Sequence, residues 1–167
     1  AQAAPTISRL TPPSQLFATD GREKLPMIAR FIPGQRFDLQ ATVQPTAGAT
    51  VSRVEFKIDG AVVATVKPGA PVGSTAMVAS GLLGGLAPNC VVASLRAYSN
   101  TKPGVHTLSA VATQSDGTAS TANGDFEVVA INAGGKKARN IVIMLGDGMG
   151  VGHRTAARIM LKGVAQG

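Results

Sequence analysis

The chain has 167 residues, with sixteen basic against nine acidic side chains, a formal charge of +7, one Cys and no Trp. That length suits one ordinary domain, or a small domain plus a fragment of another. It is too short for an antiparallel sandwich of roughly 100 residues together with a complete large α/β enzyme. Apolar residues at 44% and charged residues at 15% argue against wholesale disorder, no run approaches the roughly 18 apolar residues of a membrane span, and a single Cys excludes an intrachain disulfide framework.

The charge is unevenly placed. Residues 1–135 carry ten basic and eight acidic side chains, whereas residues 136–167 carry Lys136, Lys137, Arg139, Arg154, Arg158 and Lys162 against Asp147 alone. A basic tail can bind nucleic acid. The simpler reading is that these residues belong to a larger body holding the balancing charges, so no nucleic-acid partner is expected. The opening Ala1-Gln2-Ala3-Ala4-Pro5 is similar to the tail left by signal-peptide cleavage, which points to a periplasmic or secreted protein, with a cloning boundary as the alternative.

In chain order, Arg22, Glu23 and Lys24 read as a solvated loop. Phe37, Leu39, Ala41 and Val43 then alternate with polar residues, the period of a half-buried strand. Val54, Phe56 and Ile58 do the same, and Asp59-Gly60 separates them from Ala61–Val66. An Asp-Gly pair between β-rich runs is a hairpin signal, because such residues tolerate positive φ. His106, Leu108, Ala110 and Ala112 alternate with Thr107, Ser109, Val111 and Thr113. Asp116-Gly117 is a second hairpin signal, and Phe126–Ile131 supplies a last strand. Several short strands with turns between them predict an antiparallel sandwich. The segments Val51–Val66 and Gly104–Ala130 resemble the bacterial immunoglobulin-like modules appended to secreted enzymes.

Two residues in this part ask for a role. His106 stands two residues before an inward Leu108, the offset of the tyrosine corner in such folds, so it is expected to replace that Tyr; a metal-ligand role finds no partner motif nearby. Cys90, beside Val91 and Val92, is expected to be a buried, inert thiol in preference to a reactive one. The less regular stretch 68–103 reads as a long insertion between strands, with one strand near Cys90–Tyr98. Nothing in residues 1–135 has the spacing of a catalytic or metal site.

The pattern changes after Gly134-Gly135-Lys136-Lys137, which reads as a linker. Ile141–Leu145 is apolar without alternation, as in a strand covered on both faces. Gly146-Asp147-Gly148-Met149-Gly150-Val151-Gly152 follows, and Thr155–Leu161 has helical spacing, with Ala156, Ile159, Met160 and Gly163 on one face and Arg154, Arg158 and Lys162 on another. His153 at the helix start is expected to face solvent. The glycine turn fails the dinucleotide fingerprint, since Val151 or His153 stands where its last Gly is required, and it lacks the Gly-Lys-Ser/Thr of a phosphate loop. A carboxylate flanked by glycines, at the end of a strand, remains open to a metal.

Asn140–Gly150 followed by Thr155-Ala156-Ala157-Arg158 resembles the alkaline phosphatase family over about 25 residues. The resemblance implies that Asp147 bridges a zinc and the magnesium of a three-metal site. It implies Zn2+ and Mg2+ as cofactors, a phosphate-ester substrate attacked by a serine to give a phosphoseryl intermediate, and, through Thr155, a possible homodimer. The serine and the remaining ligands of that family are not found in these 167 residues. The expected fold is thus an all-β immunoglobulin-like sandwich over 1–133, a linker over 134–139, and the first β-strand/α-helix unit of an α/β alkaline-phosphatase-like catalytic domain over 140–167. The expected function is the N-terminal part of a metal-dependent phosphomonoester hydrolase, inactive without the remainder of the catalytic domain. The alternatives are a phosphodiesterase or other hydrolase of that superfamily, or a non-catalytic immunoglobulin-like binding or structural module.

Overall fold

The computed structural model describes residues 3–13, 28–79, 89–130 and 150–162, with Asn140, Val142 and Gly148 as single residues. The chain separates into two units, Ala1–Asn132 and Ala133–Gly167. Among the described residues the first holds nine strands: β1 (Thr6–Thr11), β2 (Ala29–Phe31), β3 (Arg36–Gln44), β4 (Val51–Ile58), β5 (Ala61–Val66), β6 (Thr75–Ala79), β7 (Val91–Ser99), β8 (Gly104–Gln114) and β9 (Ala119–Val128). The described residues of the second include the helix α1 (Val151–Lys162).

One sheet has the order β1-β3-β7-β6 and the other β2-β9-β8-β4-β5. The described pairings are antiparallel except β2 with β9, which run parallel. In immunoglobulin lettering this is A-B-E-D facing G-F-C-C′, with β2 as a second piece of the first strand. The expected immunoglobulin-like sandwich is therefore present, and its assignment rests on strand order.

The period-two runs explain where the core sits. Leu39, Ala41 and Val43 on β3, Val54, Phe56 and Ile58 on β4, and Leu108, Ala110 and Ala112 on β8 are all buried, and they form one cluster with Phe126 and Val128 of β9. Full burial of each large side chain contributes about 1.5–3 kcal/mol. Phe31, Phe37, Phe126 and Tyr98 add an aromatic cluster. Phe31 stacks on Phe37 at 3.7 Å, and Phe37 meets Phe126 and Tyr98 edge-on at 5.2 and 5.4 Å. Phe31 and Phe126 belong to one sheet and Phe37 and Tyr98 to the other, so the cluster spans the two layers.

Both Asp-Gly signals are turns. Asp59 and Gly60 take φ of 50° and 82° between β4 and β5, and Gly117 takes 86° between β8 and β9. Elsewhere the strands depart from expectation. The last strand starts at Ala119, not Phe126, because Ser120–Gly124 pair with Ala112–Leu108 of β8 despite their weak strand propensity. Stretch 68–103 is more than an insertion. It supplies β6 and β7, half of the first sheet, and β7 covers the strand expected near Cys90–Tyr98. Neither β1 nor β2 shows a period-two signal, since their inner faces are only partly buried.

In the second unit, α1 begins at Val151, four residues before the expected Thr155. Ile159 is half-buried, whereas Met160 and Leu161 are 88% and 82% exposed. The expected apolar strand Ile141–Leu145 lies outside the described residues apart from Val142, which has no regular secondary structure and is exposed. The expected linker 134–139 and the loop residues Arg22, Glu23 and Lys24 also lie outside the described residues.

Candidate functional site

Asp147, the metal-ligand candidate, lies outside the described residues. Among the described residues no three His, Cys, Asp or Glu side chains converge, so they do not make a site that fits zinc or magnesium. The expected solvent-facing His153 is exposed on α1, and Thr155 is half-buried. The polar chemistry that the structure does organise sits at the two ends of β8.

At the first end is His106, only 3% exposed. Its Nε2 lies 2.7 Å from the carbonyl oxygen of Lys102, four residues upstream, which is the backbone contact of a tyrosine corner made by an imidazole. Its Nδ1 lies 2.7 Å from Asp59 Oδ2. Asp59 sits in the β4–β5 turn. Its other oxygen accepts the Thr107 N–H at 3.0 Å, and its own N–H donates to the Thr107 carbonyl. The hydrogen bond from His106 holds the Asp59 carboxyl below its ordinary range, against a smaller desolvation effect. For His106, burial alone pulls the imidazole down. The hydrogen bonds to Asp59 and Lys102, with the carboxylate charge, outweigh it and raise the ring above its ordinary value. The face of Phe126 stacks on the ring at 5.4 Å. Sequence offset placed His106 at the tyrosine-corner position without naming Lys102 as its partner. It missed Asp59, which is 47 residues away and already accounted for as a turn former.

At the other end is Gln114, 1% exposed. Its Oε1 accepts the Thr46 N–H at 3.1 Å. Its Nε2 faces Ala3 O at 3.0 Å, Thr46 Oγ1 at 2.9 Å, Asp116 Oδ2 at 2.9 Å and Thr118 Oγ1 at 2.8 Å. Asp116 in turn accepts from the Thr118 hydroxyl and N–H, and those bonds hold its carboxyl below the ordinary range. This side chain therefore fastens the first residues of the sandwich and the β3–β4 connection to the β8–β9 hairpin. No sequence signal singled it out.

Cys90 is buried, as expected, and desolvation raises its thiol, which lowers the thiolate fraction. An apolar cleft of about 350 Å3 is lined by Val51, Pro68, Met77, Ala79 and Val91, with Thr50 and Asn89 as polar members. None of these carries a group that titrates near neutral pH.

No protein-family model matches the chain, and neither does any curated protein. Among solved structures, the chain is similar to fibronectin(III)-like modules of Clostridium thermocellum CbhA, at 20% identity and a TM-score of 0.44. That match covers 83% of this chain, which spans about half (53%) of the CbhA chain. It is also similar to the RIG-5 IG1 homodimer, at 18% identity and TM-score 0.38 over 77% of this chain and 100% of that one. A third similarity is to murine CRIg, at 11% identity and TM-score 0.39 over 78% of this chain and 100% of that one.

Proposed function

We propose that the sandwich is a non-catalytic immunoglobulin-like module acting as an accessory to a hydrolase of the alkaline phosphatase type. The observation that supports the accessory role is how the buried polar side chains are used. His106 and Gln114 are spent on tying turns to strands, and the lone buried thiol is held protonated. A specific sequence feature favours the hydrolase part, namely the Gly146-Asp147-Gly148 motif ahead of α1. On this reading Asp147 ligates Zn2+ and Mg2+ in a protein that hydrolyses phosphate monoesters in the periplasm or outside the cell, with the rest of the catalytic domain supplying the nucleophile. A carboxylate between divalent cations stays ionised, so Asp147→Asn keeps the shape and removes the bridging charge.

The test is metal content and p-nitrophenyl phosphate turnover of the intact gene product with and without Asp147→Asn. Loss of both is expected; unchanged metal content and turnover overturn the hydrolase reading. Deleting residues 1–134 from the same protein is expected to leave turnover intact while altering stability or location. Loss of turnover with metal retained overturns the accessory reading.

A further inference from the structure

We infer that His106 is a buried imidazolium clasp that fastens both the β4–β5 turn and the β7–β8 connection to the start of β8 and loses one of the two when the ring gives up its proton. The geometry fixes the protons. Lys102 offers Nε2 a carbonyl oxygen, which only accepts, so Nε2 carries a hydrogen. Asp59 Oδ2 faces Nδ1 at 2.7 Å. A neutral ring has one N–H, so it serves one oxygen and turns a lone pair on the other. Placing the second proton on Asp59 instead conflicts with that side chain's setting. It is about half exposed, and its other oxygen already accepts the Thr107 N–H, both of which favour the carboxylate. Two N–H bonds to two acceptors require the cation.

The groups around the ring agree. From the β4–β5 turn, Asp59 presents the opposing charge. From the β7–β8 connection, the Lys102 ammonium opposes the cation more weakly than Asp59 favours it. From β7, Tyr98 feels the Asp59 charge and is held neutral by burial. From β9, Phe126 lays its ring over the imidazole at 5.4 Å, a distance at which an aromatic face attracts a cation. On β8 the neighbours Val105 and Thr107 do not titrate. The folded protein thus binds the proton more tightly than the unfolded chain. The associated stability is fully present below the unfolded imidazole value and is lost as pH rises through the higher folded one. Above it one N–H remains, and the charge-assisted bond keeps it on Nδ1 facing Asp59, so that Nε2 turns a lone pair on the Lys102 carbonyl. The β7–β8 connection is the side that lets go, while the β4–β5 turn also keeps its two bonds to Thr107.

The test is a pH titration by 1H–15N NMR of the chain carrying His153→Gln, which leaves one imidazole signal. Both ring nitrogens are expected to be protonated at pH 6, with a deprotonation midpoint above about 6.5. The Lys102, Gly104 and Val105 amides should move with the same midpoint, and Ser115–Thr118, at the far end of β8, should not. Asp59→Asn should weaken proton binding by the ring about tenfold or more. A neutral ring at pH 6, amides of the β7–β8 connection that do not follow the ring, or a midpoint unmoved by Asp59→Asn overturns the inference. Should Asp59→Asn fail to fold, His106→Tyr keeps a donor for Lys102 without the titration. It is expected to abolish the fall in melting temperature between pH 6 and pH 8, below the range in which the Cys90 thiol titrates, and retention of that fall overturns the inference as well.

Discussion

Exchange of Gln114 for Glu isolates what the amide does, because shape is nearly kept and only donors are lost. The Thr46 N–H keeps its acceptor. The Nε2 position becomes an acceptor facing four oxygens at 2.8–3.0 Å. The Thr46 and Thr118 hydroxyls can turn to donate, although Thr118 then gives up its bond to Asp116. Ala3 O and Asp116 Oδ2 cannot donate at all. Two donated bonds are lost at about 1 kcal/mol each, and burying the new charge among acceptors adds about 1–3 kcal/mol. The expected loss near pH 7.5 is therefore about 3–5 kcal/mol, a large part of the stability of a small domain. The new carboxyl holds a proton more tightly folded than unfolded, so the loss should shrink as pH falls through its raised folded value. Urea unfolding of variant and wild type at pH 5 and pH 7.5 measures this, followed by far-ultraviolet circular dichroism because the chain has no Trp. A loss under about 1 kcal/mol at pH 7.5, or one that does not shrink in acid, would refute the donor count.

Two further outcomes follow from the core. Phe126→Ala removes a fully buried ring that touches Phe31, Phe37 and His106, and should cost about 3–5 kcal/mol in denaturant unfolding; a cost near 1 kcal/mol means that the aromatic cluster collapses into the gap. The Cys90 thiol should react with a disulfide reagent such as DTNB far more slowly in the folded protein than in urea. Equal rates contradict its burial.

The legible parts of the sandwich were those with one face in water and one in the core. β3, β4 and β8 alternate for that reason, and their inward sets are the buried ones. The Asp-Gly turns were legible because positive φ restricts which residues suit them. β6 and the first half of β9 were not, since Thr75–Ala79 is only half-buried and Ala119–Gly124 is small and polar. Their strand state comes from neighbours that supply a ladder. The same limit governs the polar clusters. Lys102 and His106 are four residues apart and could be paired from an offset. Asp59 with His106, and Ala3 with Gln114, are brought together by sheet order alone. The Asp147 motif is legible by resemblance, and the described residues do not bear on it.

The parallel pairing of β2 with β9 has a mechanical consequence. Parallel neighbours enter from the same end, so tension between the start of β2 and the end of β9 runs along the ladder and loads it in shear. The bonds over Ala29–Phe31, the Val129 N–H to Phe31 O contact at 2.8 Å and the Arg30–Glu127 pair at 2.6 Å must then yield together. An antiparallel hairpin pulled at its open end parts one bond at a time. Tension that enters at β2 and leaves at the end of β9 is thus borne by this one ladder as a unit.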